Sequence, residues 1–386
     1  MLRKSGSRLS LLFQDFFQSE TSSSVILIFC TVVSILLATF YTPYIHVWEV
    51  QVGALSVEHW VNDGLMSIFF LMIGLELERE VYKGELSSIK DAALPVAAAV
   101  GGMLVPAFIY FLLNQTQPFS NGFGIPMATD IAFALGILSL MGKRVPASLK
   151  IFLTALAVID DLGAILCIAL FYSKNIHWIY LAIAGGIMLV LFLCNRMKIK
   201  TIGLYLLGGI GMWYCFHHSG IHATLSGILL AFVIPFEDGS ENSVSYRLQH
   251  VLHKPVAYVI LPVFALCNTA IPFSTGVIHP FQGTYNVGVF LGLVLGKPIG
   301  ITLATVLFVK TKLASWPSGI RWQHILACSF LGGIGFTMSV FITLLAFNQP
   351  DMILEIKWTI IISSATAAGL GYLFLSRTLK QPNQDE

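Results

Sequence analysis

Apolar runs about 20 residues long, joined by short polar connections, recur along almost the whole chain. A helix needs roughly 20 mostly apolar residues to cross a bilayer. Windows of that kind fall at about 25–44, 63–82, 92–113, 123–140, 150–171, 177–194, 201–217, 219–235, 255–271, 286–308, 323–347 and 357–376. The pattern predicts an all-α integral membrane protein with twelve transmembrane helices over 25–376. Residues 1–24 precede them and a tail at 377–386 follows. In the first of these flanks, RLSLLFQDFFQ sets Leu9, Leu12, Phe13, Phe16 and Phe17 at roughly helical spacing among polar residues. It is too short and too polar for a cleavable signal and reads as a helix lying in the membrane interface.

Two connections stand out from the rest. In VWEVQVGALSVEHW, Trp48, Val50 and Val52 alternate with Glu49 and Gln51 before Gly53, and Val57 resumes the apolar pattern, which predicts a small hairpin. The stretch PFEDGSENSVSYRLQHVLHK, residues 235 to 254, is the longest polar segment. Its Gly and Ser content marks a surface loop, and RLQHVLH reads as the start of the next helix.

Composition supports the same class. The chain is 56% hydrophobic and 11% charged, where soluble domains have about 25% charged residues. The net charge of +2 is uninformative, but the placement of the basic residues is not. With both termini in the cytoplasm, 19 of the 22 Lys and Arg fall on inside segments, only Lys174 and Lys357 fall outside, and Lys297 lies within a span. That asymmetry satisfies the positive-inside rule. The six cysteines are scattered within predicted spans and show no metal or redox spacing, so they read as small buried apolar residues.

Two of the predicted spans are poor helices. The fourth carries FGIPMATDIAFALG, with Gly124, Pro126, Thr129, Asp130 and Gly136, and the eleventh carries LGGIGFTMS, with Gly332, Gly333, Gly335, Thr337 and Ser339. Interrupted segments at corresponding positions of two halves point to a transporter binding site. Span four runs inward and span eleven outward, so spans three to five and ten to twelve can be inverted repeats. Residue-level similarity between them is not evident.

The candidate chemistry lies at membrane depth. IFLTALAVIDDLGAILCIALF, residues 151 to 171, carries Asp160 and Asp161 near its centre. Each Asp there costs about 2.5–3.5 kcal/mol, while each Leu, Ile, Val or Phe returns only about 0.3–0.6. Acids kept at that cost point to function more than to helix-to-helix glue, which usually uses Ser, Thr or Asn. Adjacent residues do not share a helix face, so the two acids have different tasks. Asp130 follows Thr129 in the interrupted fourth span, and Lys297 lies midway through the tenth, where it is either neutral or paired with a carboxylate. Asp63 begins span two, at the interface or deeper. Carboxylates, Thr hydroxyls and freed carbonyls are hard ligands that suit sodium. Two adjacent acids in low dielectric cannot both ionise cheaply, so an arriving cation displaces protons. Glu76 and Glu80 share a helix face, either as a functional pair or as a solvated helix end beside Arg79 and Lys83. His222 reads as a satisfied core histidine before it reads as a proton relay. His217, His218, His250 and His253 lie near predicted helix ends.

ALAVIDDLGAI, PMATDIAFALGILSL, GLVLGKPIGI, GIHATLSGILLAFVIPF, FFLMIGLELERE and LGGIGFTMSVFI together resemble the bacterial NhaA-type sodium/proton antiporters, in family order from about residue 10 to 380. The resemblance implies an NhaA-like fold with inverted-topology repeats and two discontinuous helices. It implies exchange of cytoplasmic Na+ or Li+ for external protons, with a role in pH homeostasis and salt tolerance. The chain is then a transporter without a cofactor in the bacterial inner membrane, not an enzyme. Position by position, Asp160 and Asp161 match the paired acids of the ion site, with Asp161 the better candidate for direct sodium contact. Lys297 matches a lysine that pairs with Asp160 or compensates half-helix ends. Asp130 and Thr129 match the crossing of two broken helices, where a negative charge offsets two helix N-termini. Glu76 and Glu80 match a cytoplasmic funnel tied to pH response, with His250 and His253 nearby. Gln249 departs from the family's Glu, which bears on pH response and not on transport chemistry. The segment at 45–58 matches a dimer-forming hairpin, so the partners implied are membrane lipid and a second copy, with no nucleic acid.

Other classes fit less well. An intramembrane aspartyl protease typically carries GxGD, and the chain has no Gly-Asp dipeptide; GxSG and HExxH are also absent. A passive cation channel is the stronger alternative, but channels generally repeat a pore motif about an axis and need no lysine beside the acids.

Overall fold

A backbone in hydrocarbon must satisfy its own hydrogen bonds, and a chain with this pattern does so by forming helices. The computed structural model describes residues 3–173, 176–273, 283–316 and 319–379, with the backbone alone for residues 3–20, Glu85, Ile89 and Lys143. Among the described residues nine helices are long and apolar enough to cross a bilayer, or ten if one bent pair counts as a single span. The chain is therefore a multi-pass membrane protein.

The helices in chain order are α1 (Arg3–Phe40), the short α2 (Pro43–Glu49), α3 (Val57–Lys83), α4 (Ile89–Leu113), α5 (Ile131–Leu140), α6 (Ala147–Phe171) and α7 (Trp178–Arg196). They continue with α8 (Ile202–Ser219), α9 (Leu225–Ala231), α10 (Val244–Asn268), α11 (Thr284–Lys310), α12 (Trp322–Gly332), α13 (Phe336–Ala346) and α14 (Pro350–Thr378). Large apolar side chains such as Leu104, Phe108, Leu170 and Leu207 point outward, as lipid-facing surfaces require.

Several boundaries differ from the sequence reading. The eighth window, 219–235, contains only the seven-residue α9. That is about 10 Å of helix, too short to cross by itself. His222, Ala223 and Thr224 form tight turns ahead of it, their carbonyls accepting from the amides of Leu225, Ser226 and Gly227. Lys357, assigned to an outside loop, is instead buried two turns into α14, its Nζ 3.4 Å from Asn268 Oδ1 at the end of α10. Lys174 and most of the 377–386 tail lie outside the described residues. Segment 1–24 belongs, from Arg3 onward, to the same helix as the first span, and the side chains that suggested an interfacial helix lie outside the described residues.

The hairpin exists but is small. Strands β1 (Gln51–Val52) and β2 (Leu55–Ser56) pair antiparallel, and Gly53 takes the left-handed conformation, φ +69°, that the turn needs. Trp48 is not part of the ladder because Pro43, favoured in a first helical turn, opens α2 through Glu49. Trp60 Nε1 donates to Val52 O at 3.0 Å and ties the hairpin to α3.

Two features of the helices position the site. In α11 a π turn at Gly292–Gly296 ends immediately before Lys297. Pro298 has no N–H to offer the carbonyl of Val294, so the regular ladder cannot run through this point. Further along, Gly300 of α11 abuts Gly101 of α4: a Cβ on either would fall on the other's backbone. Small residues at this crossing let α11 sit close to α4.

Non-helical residues interrupt both Gly-rich segments. A 3₁₀ segment, Phe119–Met127, is followed by non-helical Ala128–Asp130 and then α5. Helices α12 and α13 meet at 47° across Gly333–Gly335. A Cβ at Gly333 would strike the Leu293 carbonyl in the π turn of α11, so this break, too, packs against the Lys297 helix.

Candidate ion-binding site

The two breaks bind each other. The amide of Asp130 donates to Ile334 O at 2.6 Å, and Ser339 Oγ of α13 donates to Ile125 O at 2.7 Å. Asp130 caps both helices that leave the crossing. Its Oδ1 accepts from Phe133 N at 3.1 Å at the start of α5, and its Oδ2 accepts from Thr337 N at 3.0 Å and Thr337 Oγ1 at 2.5 Å at the start of α13. One buried carboxylate thus sits at two positive helix ends and uses both oxygens there.

Next to it, Thr129 faces α6. Its hydroxyl lies 2.7 Å from Asp160 Oδ2 and 2.8 Å from Gly332 O, and it accepts from Lys297 Nζ at 2.8 Å. Lys297 Nζ also donates to Asp160 Oδ2, and both side chains are fully buried. The lysine is therefore paired, with Asp160 as its partner. Burying each ion costs several kcal/mol, which only such mutual satisfaction offsets.

Asp161 stands apart. It too is fully buried, yet neither of its carboxylate oxygens has a hydrogen-bond partner among the described residues, and neither does Asp160 Oδ1. Three buried carboxylate oxygens without donors, on two consecutive residues, suit a partly dehydrated hard cation or protons.

Glu76, Glu80, Gln249, His250 and His253 lie where the end of α3 meets the start of α10. Glu76 and His253 line the same small cavity, about 30 Å³, with Ile131 and Leu135 of α5, so α3 and α10 meet the broken span there. Glu80 folds over Gly84, while Arg79 lies 5.1 Å from the ring of Tyr246 on α10. Gln249 is half-buried and His250 is exposed, stacked on Tyr246; neither reaches the aspartates. Asp63 lies at the far end of α3, its Oδ2 3.6 Å from His217 Nδ1. His222 Nε2 is 3.2 Å from Tyr172 O, as a satisfied core histidine requires.

The sequence reading passed over two buried charges. Glu78 is buried on the opposite side of α3 from Glu76 and Glu80, its Oε2 3.5 Å from Ser245 Oγ in the first turn of α10. In the run E-L-E-R-E nothing distinguishes it, since only packing decides which acid turns inward. Lys357 was hidden by the span boundary: it is the first residue of the window 357–376, whereas the helix begins seven residues earlier at Pro350.

Comparison with known proteins now bears on this arrangement. Residues 14–375 match the family described as Na+/H+ antiporter 1. The chain belongs to this family. It is 54% identical over 375 residues to the Na+/H+ antiporter NhaA of Flavobacterium psychrophilum, covering 97% of this chain and 98% of that protein. The NhaA of Cytophaga hutchinsonii is 54% identical over 381 residues, 98% of each chain, and that of Dechloromonas aromatica 49% over 383, also 98% of each. The relatives of this antiporter-family chain are by name transporters, not enzymes, and the similarity runs through all the elements that carry the crossing.

Proposed function

We propose that the chain exchanges cytoplasmic Na+ or Li+ for external protons at Asp160 and Asp161. The observation that carries this reading is the unpartnered, fully buried carboxylate of Asp161 beside an Asp160 already engaged by Lys297. Asp161 is the principal counter-charge of the cation. Asp160, Lys297 and Thr129 form a unit that gains and loses protons as the cation leaves and arrives. A site whose oxygens are either protonated or occupied by sodium couples the two flows without a separate gate for each. Asp130 holds the crossing together and screens the two helix ends that face it.

The topology proposed with this mechanism has twelve crossings, counting α8 and the turns around α9, the broken helices as one crossing each, and both termini in the cytoplasm of a bacterial inner membrane. The mutual capping of the two breaks supports reading α4 to α6 and α11 to α14 as inverted repeats. Glu76, Glu80, Gln249, His250 and His253 line the cytoplasmic approach and set its pH response. The two-residue strands at 51–56, open at their edges, form the contact of a homodimer. Such an exchanger serves pH homeostasis and salt tolerance.

The test is sodium-induced recovery of a proton gradient in inverted vesicles. An exchanger reverses the gradient on sodium addition, and Asp161→Asn removes the response. A channel passes sodium without moving protons, and recovery in the Asp161→Asn variant equal to the parent would overturn the assignment.

A further inference from the structure

At the Lys310 end of α11 a groove of about 390 Å³ opens between that helix and the start of α12. Val306, Val309, Lys310, Trp316 and Trp322 line it. Ile299, Leu303 and Leu307, spaced four apart on α11 and each more than half exposed, form an apolar stripe that runs along the helix toward the groove. The two tryptophans are 36% and 54% exposed, an arrangement suited to the level of lipid headgroups.

Three cations stand at this groove. Lys310 lies in its wall, and Lys312 and Arg321 stand on the connection beside it, all exposed and without an ion pair among the described residues. From residue 242 to residue 350 the chain contains no Asp or Glu at all. Cationic ends on an apolar, membrane-facing groove match a molecule with an anionic head and a hydrocarbon tail.

We propose that this groove binds an anionic phospholipid. Its phosphate lies against Lys310, with Lys312 and Arg321 as further counter-charges, and one acyl chain follows the Ile299, Leu303 and Leu307 stripe. A free phosphate has no use for that stripe or for the tryptophans, whereas a zwitterionic lipid gains less than an anionic one from three cations that have no ion pair among the described residues. Lys310 lies thirteen residues beyond Lys297, roughly 20 Å along the helix, so the lipid is distinct from the ion site.

Tryptophan quenching tests this in the full-length protein held in phosphatidylcholine nanodiscs. Brominated phosphatidylglycerol or brominated phosphatidylcholine is added in matched amounts, and comparison with Trp316→Phe/Trp322→Phe isolates the signal of these two residues. The expected result is quenching by the anionic lipid at a several-fold lower mole fraction than by the neutral one. Lys310→Gln, Lys312→Gln and Arg321→Gln should each reduce that preference and together abolish it, while Lys310→Arg retains it and inorganic phosphate does not compete. Equal quenching by the two lipids overturns the proposal, as does a preference that survives all three substitutions. Loss of the preference on adding inorganic phosphate overturns it in favour of a free-anion site. Should the triple variant not fold, Lys310→Gln against Lys310→Arg decides, since only the first should lose the preference.

Discussion

Lys297 is bound to Asp160 and not to Asp161, although the two aspartates are neighbours in α6. Successive residues on a helix point about 100° apart. One therefore faces α11 and Thr129, while the other is left with the field of its neighbours and no donor. Replacing Asp161 with Asn removes no hydrogen bond among the described residues and takes away an ionisable group that is costly to bury. Asp161→Asn should retain or raise thermal stability while abolishing sodium binding, as calorimetric titration with sodium would read directly. Sodium affinity equal to the parent would remove Asp161 from the site.

Lys297→Ala should lower stability by about 3–5 kcal/mol, because it leaves the Asp160 carboxylate buried without its cation. Lys297→Ala combined with Asp160→Asn removes both charges and should recover much of that loss. Thermal unfolding of the single and double variants in detergent decides the point. A double variant no more stable than the single one would mean that the pair contributes no coupling.

Asp130→Ala releases the first turns of α5 and α13 together. The expected cost is roughly 1 kcal/mol for the lost cap and about 1.5–3 kcal/mol for the charged hydrogen bonds to Thr337. Thr337→Val, which keeps the amide bond and loses the hydroxyl, should cost less than Asp130→Ala. The reverse order, in thermal unfolding, would place the strength of the crossing elsewhere.

On the proposed mechanism sodium and protons compete for the same oxygens, so each must weaken the other's binding equally. At low pH, one obligatory proton released per sodium weakens sodium affinity about tenfold per pH unit, and two approach a hundredfold. The sign is fixed: affinity rises with pH and then levels once the pair is deprotonated. Gln249→Glu should move the pH of activation without changing the limiting slope, because residue 249 lies on α10 away from the aspartates. Sodium affinity independent of pH from mildly acidic to alkaline conditions would exclude a shared site.

Gly300→Ala places a Cβ on the backbone of Gly101. Relief of that clash requires α11 to move from α4 and carry Lys297 with it, one turn away. Exchange should fall severely, with a stability loss of about 1–3 kcal/mol. Gly369→Ala, where a Cβ meets nothing within 4 Å, is the control and should be near neutral. Equal activity in the two variants would show that the α4–α11 approach does not set the lysine's position.

Much of this was legible along the chain. Hydropathy marked most of the crossing helices, because a lipid-facing segment must be apolar over its whole length wherever it packs. The insertion cost of Asp160, Asp161 and Lys297 singled them out for the same reason, and Gly and Pro content marked the two segments that non-helical residues interrupt. Hydropathy was weakest where length and polarity conflict: it assigned a full span to the region of α9, where tight turns at 222–224 lead into a helix of only seven residues. It also put Lys357 in a loop, since a charge at the edge of an apolar window reads as its boundary.

Tertiary structure alone decided the pairings. No period in the sequence says that Asp130 serves α13 as well as α5, because Thr337 is 207 residues away. Nor does it say that Lys297, 137 residues beyond Asp160, chooses that aspartate and leaves Asp161 without a donor. The sequence by itself determined which residues are too costly for lipid, since that cost depends on residue type and depth. Which of them satisfy one another depends on where distant backbones come together, and that was decided by the Gly101–Gly300 contact and the interlocked breaks.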